Sequence, residues 1–215
     1  SRKRSSSTRS RFVSPFTVVD LSTLRILKKI SEILSAQDKL IALKETLIEE
    51  KKRQKKALMQ QLLTAPCNIF MPLGKIANIT MGQSPDSASY NARHIGVPLI
   101  QGNADITNRS PNPRMNTYAP TKMCNINDIL LSVRAPVGTV ARSNLCACIG
   151  RGICAINAND LTDYIYQYLL YYEDKWGRVA QGSTFESISS NDIEKILIPM
   201  YENREKIQAI LSMDD

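Results

Sequence analysis

The apolar residues between positions 26 and 48 recur at helical spacing in two neighbouring registers. Spacings of three, four and seven residues predict an amphipathic helix whose wide apolar stripe has heptad character. A stripe of this kind is typical of a helix that pairs with a second helix. We expect the pairing to use a set of eight residues, namely Ile26, Ile30, Ile33, Leu34, Leu40, Ile41, Leu47 and Ile48.

Capping and breaking residues predict where this helix begins and ends. The segment Ser35 to Asp38 resembles a capping box, which indicates a short helix that breaks there and a longer one from about Gln37 to Leu63. Pro66 follows and cannot continue a helix. At 1.5 Å per residue the longer helix would span ~40 Å, which favours a spacer over a core element.

After Pro66 the pattern changes to short apolar stretches separated by Gly, Pro, Asn and Ser. Such stretches predict strands and turns, here at residues 73–81, 97–101, 128–134, 139–141, 145–149 and 153–156. The pair 128–134 and 139–141 flanks a Pro and Gly turn and should form a hairpin.

Two helices are predicted in the last third of the chain. Tyr164, Tyr168 and Tyr172 recur at helical spacing in a helix that ends near Gly177, and their side chains are expected in the core. A shorter helix starts at residues 191–194. The fold class is therefore α+β: a long coiled-coil-forming helix followed by a strand-rich mixed α/β domain. Its polar loops at 82–96 and 102–123 are long enough to suggest a functional role.

A short repeat links the two ends of the chain. Residues 29–38 and 206–215 share six identities in ten, at an offset of 177 residues. This offset is too long for a solenoid repeat. It suggests a module of one helix plus one domain, so that either a longer protein carries two modules or two copies of one module pair.

Basic residues are concentrated at the N-terminal end. Residues 1–63 hold 15 basic and 6 acidic residues, whereas residues 64–215 hold 13 and 14. A basic surface indicates nucleic acid or another anionic partner, although the Lys-rich run at 51–56 is also what a solvated helix contains. Residues 1–14 are predicted to be a basic disordered tail, because they lack the apolar region of a signal peptide.

The composition also indicates a compartment. No apolar run approaches the ~20 residues of a membrane span, so no membrane association is expected. The chain has five cysteines, an odd number, and no secretory signal. Reduced thiols in a cytoplasm fit these observations best.

Residues suited to catalysis are scarce. His94 is the single histidine, and Cys146, Cys148 and Cys154 lack the paired spacing of a zinc site, so we treat these cysteines as small core residues. The nuclease-like elements at 85–86 and 173–175 lie far apart in the sequence. No glycine-rich run precedes a Lys-Ser or Lys-Thr pair, as a phosphate-binding loop requires. We expect no catalytic residue, metal or cofactor.

Recognition is better supported, because several loops place polar groups next to Gly or Pro. These loops are Gly82–Pro85, Gln101–Asn103, Ser132–Gly138, Ile149–Gly152 and Gly182–Phe185. Exposed backbone N–H groups and hydroxyls bind phosphate oxygens, while Arg, Gln and Asn read base edges. Turn chemistry alone explains any single loop.

Taken together, four motifs resemble a known family. Residues 74–85, 128–138, 149–152 and 182–188 are similar to a target-recognition domain of the specificity subunit of type I restriction–modification enzymes. Residues 33–63 resemble the spacer helix of that family, and the resemblance covers about residues 20–215. It implies a spacer helix at 15–65, a DNA target-recognition domain at 66–198 and the start of a second spacer helix at 199–215.

The resemblance also implies a function. In that family an antiparallel helix pair holds two recognition domains apart, and each domain reads one half of a bipartite DNA target. The expected partners are double-stranded DNA, methyltransferase (modification) subunits and a motor/nuclease (restriction) subunit. The chain would be a non-catalytic, cytoplasmic, prokaryotic component of a restriction endonuclease and DNA adenine methyltransferase complex. It would be a homodimer if it is a natural half-subunit.

The expected DNA-binding residues come from the recognition loops and their neighbours. They are Gln83, Ser84, Arg93, Gln101, Asn103, Arg109, Asn112, Arg114, Arg134, Arg151, Ser183 and Thr184. We expect Arg93, Arg109, Asn112 and Arg114 to read bases and the Gly- and Ser-bearing motifs to contact phosphate. Arg134 and Arg151 fit either DNA contact or a role in the fold.

Two other readings remain open from the sequence. The chain could be the recognition part of a single-chain, type II-like restriction–modification enzyme. It could also be a coiled-coil adaptor that does not bind DNA, with the apolar stripe as its functional surface.

Overall fold

The computed structural model describes residues 21–181 and 187–212, with the backbone alone for residues 177–181. The predicted tail at 1–14 lies outside these residues. The chain divides into two compact units, Ser1–Lys52 and Arg53–Asp215, so the boundary falls inside the first helix.

This first helix, α1, is one continuous element at Leu21–Leu63. The predicted break at Ser35 to Asp38 is therefore wrong. Ser and Asp cost only a few tenths of a kcal/mol each inside a helix, and the segment contains neither the Gly nor the Pro that interrupts one more strongly. The predicted end at Leu63 is confirmed.

The apolar stripe of α1 is exposed to solvent within the first unit. All eight residues predicted to pair with another helix are 44–61% exposed. The last turns of α1 belong to the second unit, where Met59 and Leu63 are buried in its core.

The described residues of the second unit add four helices and thirteen short strands. The helices are α2 (Leu73–Ile76), α3 (Thr162–Gln181), α4 (Ser190–Glu194) and α5 (Arg204–Ser212). The strands are β1 (Phe70–Pro72), β2 (Asn78–Met81), β3 (Tyr90–Asn91), β4 (Val97–Ile100), β5 (Ile106–Thr107), β6 (Ser110–Pro111), β7 (Met115–Thr117), β8 (Met123–Cys124), β9 (Ile129–Ser132), β10 (Val140–Arg142), β11 (Ala147–Ile149), β12 (Ile153–Asn157) and β13 (Leu197–Pro199).

Two sheets organise this unit. One has the strand order β10-β9-β12-β2 and is antiparallel throughout. The other has the order β3-β7-β4-β11-β8 and is mixed, because β4 and β11 run parallel. Two further strand pairs, β1 with β13 and β5 with β6, are antiparallel. The α+β class is confirmed, and so is the hairpin of β9 and β10.

The alternation of side chains along β9 divides the core into two clusters. Ile129 and Leu131 pack with residues of α3 such as Tyr164, whereas Leu130 packs with Ile149 and others in a second cluster. Successive strand residues point to opposite faces, so a strand covered on both faces is apolar throughout. The predicted core position of Tyr164 and Tyr168 is confirmed, whereas Tyr172 is half-buried against the same cluster.

Two elements differ from the sequence-based expectation. The segment predicted as a strand at 73–81 begins with α2. The N–H of Leu73 has no acceptor within this helix and donates to the carbonyl of Ile196 (2.8 Å), in line with the register of β1 and β13. Helix α3 continues to Gln181, past the predicted end at Gly177. A glycine inside a helix costs only ~1 kcal/mol, which neighbouring turns offset.

The short helix predicted to start at residues 191–194 is present as α4, but its cap lies two residues earlier than predicted. Helix α4 begins with a capping box formed by Ser189 and Asp192, whose hydrogen bonds lower the pKa of that aspartate. The second copy of the repeat lies mainly in α5, and the first lies in α1. In α5, Ile207 and Leu211 are buried, whereas the equivalent Ile30 and Leu34 of α1 are exposed.

Candidate nucleic-acid interface

Three glycines join three of the predicted recognition loops. Gly82 donates its N–H to the carbonyl of Ile153 (2.9 Å), Gly150 to that of Ile100 (2.8 Å) and Gly152 to that of Gln101 (3.1 Å). These bonds tie loops 82–85, 101–103 and 149–152 together at the ends of strands from both sheets. We call this arrangement the glycine junction.

The backbones in the glycine junction approach too closely for side chains. A Cβ atom on Gly82 would lie 2.2 Å from the carbonyl oxygen of Gly150, and one on Gly152 would lie 2.4 Å from that of Gln101. Because both obstacles are backbone atoms, they cannot move aside as a flexible side chain would. The junction therefore holds the neighbouring polar residues in a defined arrangement.

Gln83, Gln101 and Arg151 have exposed side chains that make no hydrogen bond or ion pair with a described residue. Ser84 is half-buried, and its hydroxyl accepts the N–H of Arg151 (3.2 Å). Ser84 thus shapes the loop, while the other three leave their polar groups available to a ligand.

The turn after β9 is linked to the same junction. Val133 donates its N–H to the carbonyl of Gly152 (2.9 Å), and Arg134 follows with an exposed side chain. The backbone of Arg134 bridges to Ser187, but its guanidinium has no partner among the described residues. Neither the Arg134 nor the Arg151 side chain forms an ion pair with a described residue.

A buried carboxylate, Asp105, connects a second group of candidates. It accepts the N–H of Gln101 (2.8 Å) and the Nε–H of Arg114 (2.8 Å), and its backbone carbonyl accepts the N–H of Asn112 (2.7 Å). Asn103 begins the short 3-10 turn that ends at Asp105. Four predicted residues therefore surround one buried acid next to the glycine junction.

Arg109 occupies a different environment. It lies in the two-residue turn between β5 and β6, where its φ is 62°. Its Nη1 donates to Glu173 (2.7 Å) and to the carbonyl of Val140 (3.0 Å), and the bond to Glu173 raises the pKa of the guanidinium. The side chain is thus bound to α3 and β10 and is not brought to the glycine junction.

Three other candidates are not linked to the glycine junction by any described contact. Arg93 is exposed in the turn after β3, where its N–H bonds to the side chain of Asn91 (3.1 Å), and no hydrogen bond of the described residues links this turn to the junction. Ser183 and Thr184 lie outside the described residues.

The structure adds two residues that the sequence did not single out. Thr121 donates its hydroxyl to the carbonyl of Gln83, and Lys122 accepts the N–H of Ile149 (2.8 Å) at its backbone carbonyl. The backbone of Lys122, an exposed residue, is thereby placed beside the junction. Both residues lie within the long loop 102–123, and no local pattern distinguishes them from its other polar residues.

The nuclease-like elements have structural partners. The carboxylate of Asp86 accepts the N–H of Ala88 (2.9 Å) at the start of a 3-10 turn. Glu173 binds Arg109, and Asp174 pairs with Lys56 (2.5 Å). Within residues 21–181 and 187–212, no group of three or more His, Cys, Asp or Glu side chains is arranged to hold a metal ion.

The cysteines differ in their exposure. Cys148 and Cys154 are buried as expected, and burial raises the pKa of the Cys154 thiol to about 12. Cys146 is exposed, which corrects its assignment to the core. It precedes β11 and lies just outside the strand, so its side chain does not enter the cluster that buries Ala147.

No helix in the described part of the chain combines the length and the apolar character that crossing a bilayer demands.

Comparison with known proteins identifies the class to which this fold and this set of loops belong. The family model described as the type I restriction modification DNA specificity domain matches residues 69–213. The chain therefore belongs to this family, as its motifs predicted. The family and its named relative confirm a recognition component rather than an enzyme, and they do not favour the single-chain enzyme or the adaptor.

One relative is the putative type I restriction enzyme MjaX specificity subunit of Methanocaldococcus jannaschii. It is 36% identical over 206 residues, which cover 85% of this chain and 48% of the relative. The chain thus spans about half the length of the curated relative that it matches.

Solved structures of specificity subunits share the fold. The HsdS subunit of Thermoanaerobacter tengcongensis is 29% identical with a TM-score of 0.66, and the match covers 88% of this chain and 49% of that one. A structure titled for complex assembly and conformational transition of the type I R-M system is 32% identical with a TM-score of 0.65, covering 87% and 50%. The S subunit of M. genitalium, at 15% identity and a TM-score of 0.64, covers 85% and 53% and shows likeness of fold alone.

Proposed function

We propose that this chain binds double-stranded DNA through the glycine junction and reads one half of a bipartite target. The observation that carries the proposal is the convergence of Gln83, Gln101, Arg134 and Arg151, exposed and without described partners, around a rigid backbone. Guanidinium and amide groups of this kind are the usual donors to phosphates and to base edges in the major groove.

Local geometry supports DNA binding despite the near-neutral charge of residues 64–215. Phosphate binding depends on cations at the contact, and Arg134, Arg151 and Lys122 supply three of them around the junction. Sequence-specific binding also requires that the contacting groups be held in fixed positions, and the close backbone packing at the glycines provides this rigidity.

We divide the candidates into two roles. Arg134, Arg151 and the backbone N–H and hydroxyl groups of the Gly- and Ser-bearing loops, including 182–185 with Ser183 and Thr184, contact phosphate. Arg93, Asn112 and Arg114 read bases, together with Gln83 and Gln101. Arg109 can join them only by releasing Glu173 and Val140, so its contribution to DNA reading depends on breaking an ion pair that the free protein forms.

The exposed stripe of α1 is the second functional surface. We propose that it packs antiparallel against the corresponding helix of a second copy or of a longer chain. The resulting helix pair would hold two recognition domains apart and present them to methyltransferase and motor/nuclease subunits in a prokaryotic cytoplasm. This assignment is supported by the apolar heptad pattern and by the exposure of all eight of its residues.

Selection from a randomised duplex library tests the function. The full chain should enrich a sequence motif at low salt. Arg151→Ala should weaken binding to all sequences alike and flatten the dependence of log affinity on log salt by about one, because one phosphate contact is lost. Lys195→Ala, which removes an equally exposed cation at the end of α4, is the matched control and should change neither quantity.

The same selection can reject the proposal. If the wild-type chain enriches no sequence and binds no duplex at low salt, DNA reading is excluded and the coiled-coil adaptor is favoured. If Arg151→Ala and Lys195→Ala reduce affinity equally, the glycine junction is not the contact surface.

A further inference from the structure

We propose that Arg114 reads a guanine and that Asp105 is the positioning residue that aims it, an inference that rests on the proposed DNA-binding function. The two side chains form an ion pair, with Arg114 Nε 2.8 Å from Asp105 Oδ1. Their exposures are opposite: the Arg114 side chain is 65% exposed, and that of Asp105 is 4% exposed.

The carboxylate of Asp105 is held on both oxygens. Oδ1 accepts Arg114 Nε, and Oδ2 accepts the N–H of Gln101 (2.8 Å). The 3-10 turn that carries Asp105 is closed by a bond from its N–H to the carbonyl of Gly102 (3.0 Å). A buried carboxylate that is fixed at each oxygen cannot rotate, so it is a rigid support for the guanidinium.

The backbone of Arg114 is equally well supported. The next residue, Met115, begins β7 and pairs with Leu99 of β4 in the mixed sheet. The preceding segment is anchored by the bond from the N–H of Asn112 to the carbonyl of Asp105 (2.7 Å). Arg114 thus stands directly before a strand, with its backbone held on both sides and its side chain held at Nε.

The atom used for this bond leaves the far end of the guanidinium open. A guanidinium has five N–H donors, and the Nε–H is the one directed along the side of the group. Both terminal nitrogens of Arg114 remain available in the exposed part of the side chain. Arg109, Arg142 and Arg204 bond through Nη1 instead, which occupies the terminal fork.

The open fork matches guanine better than it matches a phosphate. The two terminal nitrogens of arginine donate end-on to O6 and N7 of guanine in the major groove. A phosphate contact is governed by charge, and the buried carboxylate of Asp105 would offset the attraction of the arginine for an anion. A base edge carries a dipole and no net charge, so the carboxylate of Asp105 weakens the attraction of Arg114 for a base less than its attraction for a phosphate. The fixed geometry also lowers the conformational entropy lost on binding.

Lysine at position 114 separates readout from charge. In the full chain, Arg114→Lys retains the cation but removes the fork, so selection from the duplex library should show guanine preference relaxed at one position. The expected loss of discrimination is roughly 5- to 150-fold, which corresponds to about 1–3 kcal/mol. The slope of log affinity against log salt should stay unchanged, because no phosphate contact is removed.

Asp105→Asn tests the positioning role. Asparagine has one acceptor oxygen for the two donors that Asp105 binds, so the guanidinium loses its support and the same position should relax. Arg142→Lys is the matched control: Arg142 also pairs with a carboxylate, that of Asp163, but it is not among the proposed DNA contacts, so every base preference should stay intact. Thermal unfolding of each variant reports whether it folds. If Asp105→Asn does not fold, Arg114→Lys still tests the inference, because its side chain is exposed and its replacement leaves the core unchanged.

Three results would overturn the inference. The first is a folded Arg114→Lys chain with the wild-type motif. The second is relaxation of the same position by Arg142→Lys, which would show that loss of any arginine–carboxylate pair in this domain has the same effect. The third is a flatter salt slope in Arg114→Lys, which would identify a phosphate contact. In each of these cases the proposed DNA-binding function still holds if the wild-type chain enriches a motif. If the wild-type chain enriches no motif, the proposed function and this inference are both rejected.

Discussion

At the scale of single residues, glycines and arginines that look alike in the sequence have different tasks. Gly82 and Gly102 both flank polar loop residues, yet a Cβ on Gly82 would meet three backbone carbonyls, and one on Gly102 would meet nothing within 4 Å. In the same way, Arg109 and Arg114 both lie in the long loop 102–123, but one is bound through its terminal fork and the other through Nε.

The glycine contrast leads to a stability prediction. Gly82→Ala should lower the free energy of unfolding by about 1–3 kcal/mol, because the new methyl group would lie 2.2 Å from the Gly150 carbonyl oxygen and the strands must separate to admit it. Gly102→Ala is the control, since its backbone is extended and the space beside it is open. Urea denaturation measures both, and equal stability of the two variants would show that the junction is not tightly packed.

At the scale of secondary-structure elements, α1 is unusual because no other described element of the first unit packs against its apolar stripe. Ile26, Ile33 and Leu40 are exposed although they repeat at heptad spacing. Helices this long draw most of their stability from packing of an apolar face. A second helix on the stripe would supply that packing, and it would explain why the apolar residues recur over so many turns.

The stripe can be tested by placing a charge on it. Leu40→Glu should shift the chain towards monomer in light scattering, because a buried leucine contributes about 1.5–3 kcal/mol and a charge in its place is unfavourable. Ser31→Glu is the matched control: it adds the same charge nine residues away, on the opposite face of the helix. A wild-type chain that is monomeric at high concentration while helical by circular dichroism would contradict the pairing.

At the scale of the whole molecule, the chain spans about half the length of the relatives and solved structures that it matches. The repeat of residues 29–38 at 206–215 fits this proportion, because a helix resembling the start of α1 returns after one domain. If helix pairing holds two domains apart, the length of α1 sets the gap between the two half-sites that they read.

Helix length therefore predicts site spacing. Duplication of the seven residues 34–40 would lengthen the helix by about 10.5 Å and preserve the heptad register. At about 3.4 Å per base pair, the gap between half-sites should widen by roughly three base pairs, while the half-sites themselves stay the same. Library selection with the lengthened chain measures the gap. An unchanged gap, or changed half-sites, would refute the spacer role.

Local patterns in the sequence determined a large part of this structure. The apolar periodicity of α1 and α3, the stop before Pro66, the hairpin of β9 and β10 and the cap of α4 depend on residues close together in the chain. Interactions within a few residues leave a periodic or turn signature that one sequence reveals. The four loop motifs identified the family for the same reason, since each is a contiguous string.

Only the tertiary structure decided the features that depend on distant partners. The first N–H of α2, from Leu73, is accepted by Ile196, Arg109 is held by Glu173, and Arg114 is bound by Asp105. Tertiary packing brings each of these pairs together, and no local pattern in the sequence predicts the pairing. The family could therefore be recognised from the sequence, whereas the distinction between an arginine that stabilises the fold and one that faces a ligand required the fold itself.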